Sequence, residues 1–316
     1  MKSKLLPLVV IFLALGTALR AEEGGSGHYL PGSMSSFVDG VPTDETFIVR
    51  YNFVTWDASV DANRNLPIAG LLTAGADITS YANGLTLLWR PPFGELNDSW
   101  SYAMSMTVPY VNLEIEADVT DGGTTVRRSD SISGIGDIVL MPVMLNQNLN
   151  PDFNINYRLG IYVPTGRYEP GRLANTGKNF WTIEPQVGFM YFGQKNGIEA
   201  SAFFGADFNF ENPDTNYRSG TQLHIDGTLA QHFPLWGSLA GIGVNGYWYE
   251  QVEGDSGSGA NLGDFKARTA GFGPVLSYST KANGIDLIGE LKWVHEFETQ
   301  KRPEGDYFWF KLLMKF

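Results

Sequence analysis

Apolar and polar residues alternate with a period of two along most of this chain. The clearest run is 198–210. Ile198, Ala200, Ala202, Phe204, Ala206, Phe208 and Phe210 share one face, and Glu199, Ser201, Phe203, Gly205, Asp207 and Asn209 share the other. Such spacing fits a β-strand and not an amphipathic helix. It recurs at 153–163 and at 285–297, where Asp286, Glu290, Lys292 and Glu296 oppose Ile285, Leu287, Leu291, Trp293 and Phe297. The pattern predicts strands over 45–57, 76–92, 99–117, 133–149, 151–166, 179–193, 197–211, 220–234, 236–251, 264–281, 284–299 and 305–316. Two stretches blur. The alternation changes phase near Pro109, which suggests a bulge, and 134–144 is apolar on both faces.

The connections alternate in length. Gly-, Asn- and Pro-rich short turns fall at 93–97, 148–151, 193–197, 234–237 and 281–284. Mostly longer loops fall between them, at 58–75, 118–132, 167–178, 212–219, 252–263 and 300–304. Short turns at one rim and long loops at the other are the plan of an outer-membrane barrel. The expected fold is therefore all-β, a transmembrane antiparallel β-barrel of about twelve strands. Composition agrees. Aromatics make up 13 % and charged residues only 18 %. Yet after the N-terminus no apolar run is long enough to span a bilayer as a helix.

Residues 1–21 read as a secretory signal. Lys2 and Lys4 precede an apolar core from Leu5 to Leu15, and Ala18-Leu19-Arg20-Ala21 offers a cleavage point. Residues 22–44 lack strand periodicity and form an N-terminal periplasmic or plug segment, and 45–316 form the barrel. Three of the 22 basic residues leave with the signal, and the 34 acidic ones stay. So acidic a chain has no electrostatic reason to bind nucleic acid. There is no cysteine, which excludes thiol chemistry and thiolate metal sites. No cofactor or metal is expected, since neither an EF-hand loop nor HExxH is present.

Several local patterns resemble the family named for the meta pathway of phenol degradation, a group of outer-membrane transporters. They are His28-Tyr29-Leu30-Pro31-Gly32, Gly134-Ile135-Gly136-Asp137 with Leu140 and Pro142, Tyr162-Val163-Pro164-Thr165-Gly166, and Asn179-Phe180-Trp181 with Pro185 and Gly188. The resemblance implies a barrel that takes up hydrophobic or aromatic small molecules. The terminal Phe316, on an alternating strand, resembles the signal read by the barrel-assembly machinery.

Alternation assigns Arg50, Arg158, Glu184, Glu199, Asp207, His224, Asp226, Glu290, Lys292 and Glu296 to the lumen. They either line a polar path or pair with one another and fill the barrel. His28, Tyr29 and Phe37 either enter the lumen as a plug from the periplasmic side or belong to a free tail. The loop acids Asp118, Asp121, Asp130, Asp255 and Asp264 read as solvated charge, with cation-bridged lipopolysaccharide as the alternative. Trp56, Trp89, Trp100, Trp181, Trp236, Trp248 and Trp309 read as interfacial girdles. His224, His232 and His295 lack any nucleophile motif, so an enzyme is not expected. The sequence points to a passive outer-membrane channel or carrier for small aromatic or hydrophobic solutes, with outer-membrane lipids as its surroundings. A structural barrel with a filled lumen and a lipid hydrolase are the alternatives.

Overall fold

A computed structural model describes residues 26–61, 64–121, 123–260 and 266–316. The signal segment 1–21 and Asp264 lie outside the described residues.

Twelve antiparallel strands close on themselves. In chain order they are β1 (Thr46–Ser59), β3 (Leu71–Arg90), β5 (Trp100–Asp121), β7 (Ile138–Asn150), β8 (Phe153–Val163), β9 (Thr182–Phe192), β10 (Ile198–Asn209), β11 (Gln222–Leu235), β12 (Ser238–Gln251), β13 (Arg268–Ala282), β14 (Ile285–Gln300) and β15 (Glu304–Lys315). Each pairs with the next, and β15 pairs with β1 from Ile48↔Lys315 to Ser59↔Glu304. Closure leaves no barrel edge, which the bilayer requires because lipid offers the backbone no partners. Three further strands are additions: β2 (Asn65–Ile68) on β3, and β4 (Glu95–Asn97) and β6 (Thr124–Ile135) on β5.

The side chains are arranged inside out. Along β10, Glu199, Ser201, Phe203, Asp207 and Asn209 are buried, while Ile198, Phe204 and Phe208 are exposed. On β14, Glu290, Lys292 and Glu296 are buried, and Leu291, Trp293 and Phe297 are exposed. A water-soluble sandwich would show the reverse. This pattern makes the protein an outer-membrane barrel.

The short turns share an end with Thr46 and Phe316. Trp236-Gly237 and Asn283-Gly284 adopt positive φ at these turns, the geometry that a two-residue hairpin demands. At the same rim Phe316 N–H donates to the Phe47 carbonyl at 3.0 Å and Thr46 Oγ1 donates to the Phe316 carbonyl at 2.9 Å.

Four sequence expectations need correction. The region 118–132 is not a loop but the tip of the β5–β6 hairpin, paired from Tyr110↔Ile135 to Asp121↔Thr124. Part of 58–75 is likewise ordered as β2 and the start of β3. The bulge expected in β5 near Pro109 lies instead in its neighbour. Pairing with β3 runs unbroken from Asp77↔Glu116 to Trp89↔Met104, while on the other side the ladder slips by one residue between Thr107↔Val139 and Tyr110↔Ile135, and again at Ala103/Ser105. The apparent change of phase has a different cause. Below Pro109 the outward residues are Tyr102, Met104, Met106 and Val108, which suit lipid. Above Tyr110 they are Asn112, Glu114 and Glu116, which suit water. The strand keeps its phase and leaves the bilayer. Finally, Trp56 and Trp309 are not girdle residues, because both are buried inside. Trp89, Trp181 and Trp236 are exposed as expected.

Two outcomes follow from this arrangement. Phe204→Arg is expected to destabilise the barrel by about 2–4 kcal/mol at mid-bilayer depth, whereas Asp207→Asn, on the inner face, leaves assembly intact. Heat-modifiable gel migration with urea titration measures both. Phe316→Ala is expected to slow insertion in a pulse-chase assay, and unchanged kinetics would remove its role as an assembly signal.

Candidate functional site: the lumen and its N-terminal segment

Residues 26–43 run down the inside of the barrel from the long-loop rim to the short-turn rim. At the top, His28 Nε2 lies 3.0 Å from Asp137 Oδ2 and Nδ1 lies 2.7 Å from Thr182 Oγ1. Its ring stacks on Tyr162 and meets Phe180 edge-on. Asp137 Oδ1 accepts from Gly166 N–H at 2.9 Å, and its Oδ2 accepts from Lys178 N–H at 2.7 Å. Four sequence patterns that looked separate thus meet around one buried carboxylate. Gly166 and Gly177 permit the meeting, since a Cβ on Gly166 would stand 2.5 Å from the Gly177 Cα. Burial holds the His28 imidazole below its ordinary pKa against the opposing pull of Asp137, so the ring is neutral at pH 7.

Lower down, Tyr29 donates from its hydroxyl to Asp226 Oδ2 at 2.8 Å, and Gly32 N–H donates to Asp226 Oδ1 at 2.7 Å. Trp309 Nε1 donates to the Pro31 carbonyl at 3.0 Å. Lys292 Nζ donates to the Gly32 carbonyl at 2.5 Å and Ser35 Oγ at 2.8 Å. Ser36 Oγ donates to Glu290, and Phe37 N–H donates to Glu199 Oε1 at 2.7 Å. A single 3-10 turn, Phe37–Asp39, then presents Asp39. Lys311 Nζ lies 2.8 Å from both Asp39 oxygens, and Arg50 lies 2.8 Å from Oδ1. Ser35 N–H also donates to Asp39 at 2.9 Å. Burial alone would push the Asp39 carboxyl up, but Lys311, Arg50 and Lys292 hold it well below the usual carboxylate range. Val41 N–H reaches Asn156 Oδ1 at 3.1 Å and Ser101 Oγ reaches the Pro42 carbonyl at 3.2 Å, close to the lower rim.

All nine charged residues named for the lumen face inward. Arg50, Arg158, Glu199, Asp226, Glu290 and Lys292 touch residues 26–43 directly. Glu296 does not; it accepts from Trp56 Nε1 at 3.3 Å and Gly305 N–H at 2.8 Å. Glu184 and Asp207 gather around His224. The segment's reach exceeds the expectation of periplasmic entry alone, since His28 lies at the long-loop end. Sequence reasoning missed Lys311, Arg302, Asp137 and Asp39. Lys311 was visible in the alternation of β15. Asp39 carried no signal, because its neighbours have no period. Of the loop acids, Asp255 is buried and takes bonds from Tyr217 and Gly220, so it is not solvated. Asp130 pairs with Arg172 at 2.9 Å. The histidines pair with carboxylates: His224 with Glu184, His232 with Glu199, His295 with Asp306.

The segment hugs the charged wall of β10–β15 and leaves space on the other side. There a cavity of about 310 Å³ lies against β1, β3, β5 and β7. Leu30, Val54, Trp56, Val111, Leu113, Tyr307 and Trp309 give it an apolar and aromatic surface, and Asn52, Thr86 and Thr107 form a polar row. Trp56 and Tyr307 stack at 5.5 Å. Below it the space narrows to about 10 Å³ among Met34, Arg50, Met144, Arg158 and Leu313.

A family profile described as "Putative MetA-pathway of phenol degradation" matches residues 58–312. The chain belongs to that family. Among curated proteins no relative matches it. A similar solved structure is the COG4313 outer membrane channel from Pseudomonas putida F1, at 17% identity and TM-score 0.64, covering 91% of this chain and 100% of that one. The beta domain of the Bordetella autotransporter BrkA is similar at 9% identity and TM-score 0.50, covering 86% of this chain and 99% of that one. At such identities the likeness concerns the fold. The phenol-family chain keeps its apolar surface outside.

Asp39 is the test of how the segment is held. Asp39→Ala leaves two buried bases without their main partner, a change that typically costs about 3–5 kcal/mol. The segment is expected to become protease-sensitive while the barrel stays heat-modifiable. In the wild type acid releases the segment in the ordinary direction, but only at low pH. A depressed carboxyl stabilises docking above the unfolded value, near 4, and loses that contribution only as pH falls through the lower folded value. Protection should therefore persist at pH 4.

Proposed function

We propose that the protein is a passive outer-membrane channel or carrier for small aromatic or hydrophobic solutes. The N-terminal segment acts as a plug that holds back ions. The observation that carries this reading is the aromatic-lined cavity beside the segment, closed toward the short-turn rim by methionine and leucine side chains. A site that is mostly apolar with a few aligned polar groups is built for a small organic molecule. The Asn52, Thr86 and Thr107 row would orient a hydroxyl, while Trp56 and Trp309 would take a ring face. Membership in the phenol-pathway family and likeness to the COG4313 channel support the reading. A wholly filled structural barrel would have no use for such a space.

Tryptophan quenching by 4-nitrophenol in the detergent-purified protein tests this function. Saturable quenching is expected, and Ala82→Phe with Val111→Phe, which fills the cavity, should weaken it at least about tenfold. Deleting residues 27–40 should raise single-channel conductance in planar bilayers, with a preference for cations set by the acids of the wall. Unsaturable quenching together with near-zero conductance after deletion would favour the filled structural barrel.

A further inference from the structure

Behind Tyr29, away from the cavity, three strands bring Glu184 (β9), Asp207 (β10) and His224 (β11) together. One ligand atom from each lies within 4.8 Å of the others, and all three side chains are buried. The His224 Nε2 is 2.7 Å from Glu184 Oε1, and its Nδ1 is 3.5 Å from Asp226 Oδ2. Neither ring nitrogen is aligned for a hydrogen bond. The imidazole is instead fixed by stacking, with the Tyr29 ring 3.9 Å away.

The electrostatics are unusual for a buried site. Glu184 takes bonds from Tyr162 at 2.9 Å and Gln186 at 2.6 Å, and Asp226 takes bonds from Tyr29 and Gly32. Those donors are neutral. Glu184, Asp207 and Asp226 thus gather around one imidazole, and like charges this close resist joint ionisation. The wall also makes room for the cluster. A Cβ at Gly205 would stand 2.2 Å from His224 Nε2, and one at Gly160 would stand 3.0 Å from Glu184 Oε2. Glycine at these two places lets both ligands lie flat against the barrel.

We propose that Glu184, Asp207 and His224 bind one divalent transition-metal ion inside the barrel wall. One imidazole nitrogen with two carboxylate oxygens suits zinc or a neighbouring first-row ion better than magnesium or calcium, which prefer all-oxygen sites. Zinc bonds of about 2.1 Å need side-chain adjustments that leave the backbone in place. Tyr162 lines the cavity and bonds Glu184, so the cavity is the route of access. Tyr29 stacks on the ligand histidine, so the bound ion would tie the plug segment to the wall. Sequence spacing hid the set because its members come from three strands.

Zinc titration of the EDTA-treated, full-length mature protein in detergent tests the proposal. One equivalent is expected by calorimetry. Asp207→Asn and His224→Gln should each weaken binding by at least about tenfold, as should Gly205→Ala, which displaces the imidazole. His295→Gln, at the exposed pair with Asp306, should leave binding unchanged. Cobalt substitution supplies a readout in the wild type if His224→Gln fails to assemble: visible bands of a low-coordinate nitrogen-and-oxygen site are expected. Absence of saturable zinc binding, equal binding by Asp207→Asn, or an octahedral aqueous cobalt spectrum would each overturn the assignment.

Discussion

Charge buried inside a closed wall is the constraint on which the rest of this structure depends. A barrel in lipid must turn its apolar face outward, and the alternation of a strand then sends every other residue in. Here those inward residues include Lys292, Lys311, Glu290 and Glu199, all nearly inaccessible. They need partners, and the wall supplies only some of them. Residues 26–43 supply the rest, largely through backbone groups. Lys292 is met by the Gly32 carbonyl, Lys311 by the Ser33 carbonyl, and Glu199 by the Phe37 N–H. Asp39 is the one charged side chain the segment contributes to this stretch of the lumen. It sits where Lys311 and Arg50 converge. The barrel and its N-terminal segment are therefore electrostatically one unit.

That dependence explains the asymmetry of the lumen. The charged inner residues are concentrated on β9–β11 and β14–β15, and the segment lies against them. The inner residues of β1, β3 and β5 include Asn52, Val54, Ala82, Gly84, Thr107 and Val111. Small or uncharged, they demand no partner and leave room. The cavity is what remains when an extended segment neutralises one side of a cylinder. Its aromatic surface comes from Trp56 and Trp309, which alternation turns inward on β1 and β15.

Much of the fold was legible in the sequence because a bilayer enforces a strict period. Each inward charge on β10, β11 and β14 could be named from parity alone. Parity failed where the solvent changes along a strand. The outward row of β5 turns from Met106 to Glu114 as the strand leaves the bilayer, and this mimics a slip in phase. It failed too for Trp56 and Trp309, where aromatic residues near strand ends were assigned by habitat rather than by face. The site was less legible. Residues 26–43 bind through backbone groups, and backbone groups leave no trace in composition. Asp39 and Asp137 act through contacts with residues far away in the chain, and neither lies on a periodic run.

The same contacts decide how a solute can pass. Withdrawing the whole segment would leave Lys292 and Lys311 with Glu290 between them as their shared counter-ion, and buried charge in excess of its partners costs several kcal/mol unless water replaces them. The narrowing below the cavity asks for less. It is framed by Met34, Met144 and Leu313 together with Arg50, Arg158 and Asp39. Methionine is unbranched and adapts to irregular space at low cost. For the solute proposed above, parting the two methionines would leave Asp39 on Lys311. On the proposed function, selectivity would rest on which part of the constriction moves, and the fixed part is the buried ion pair of Asp39 with Lys311.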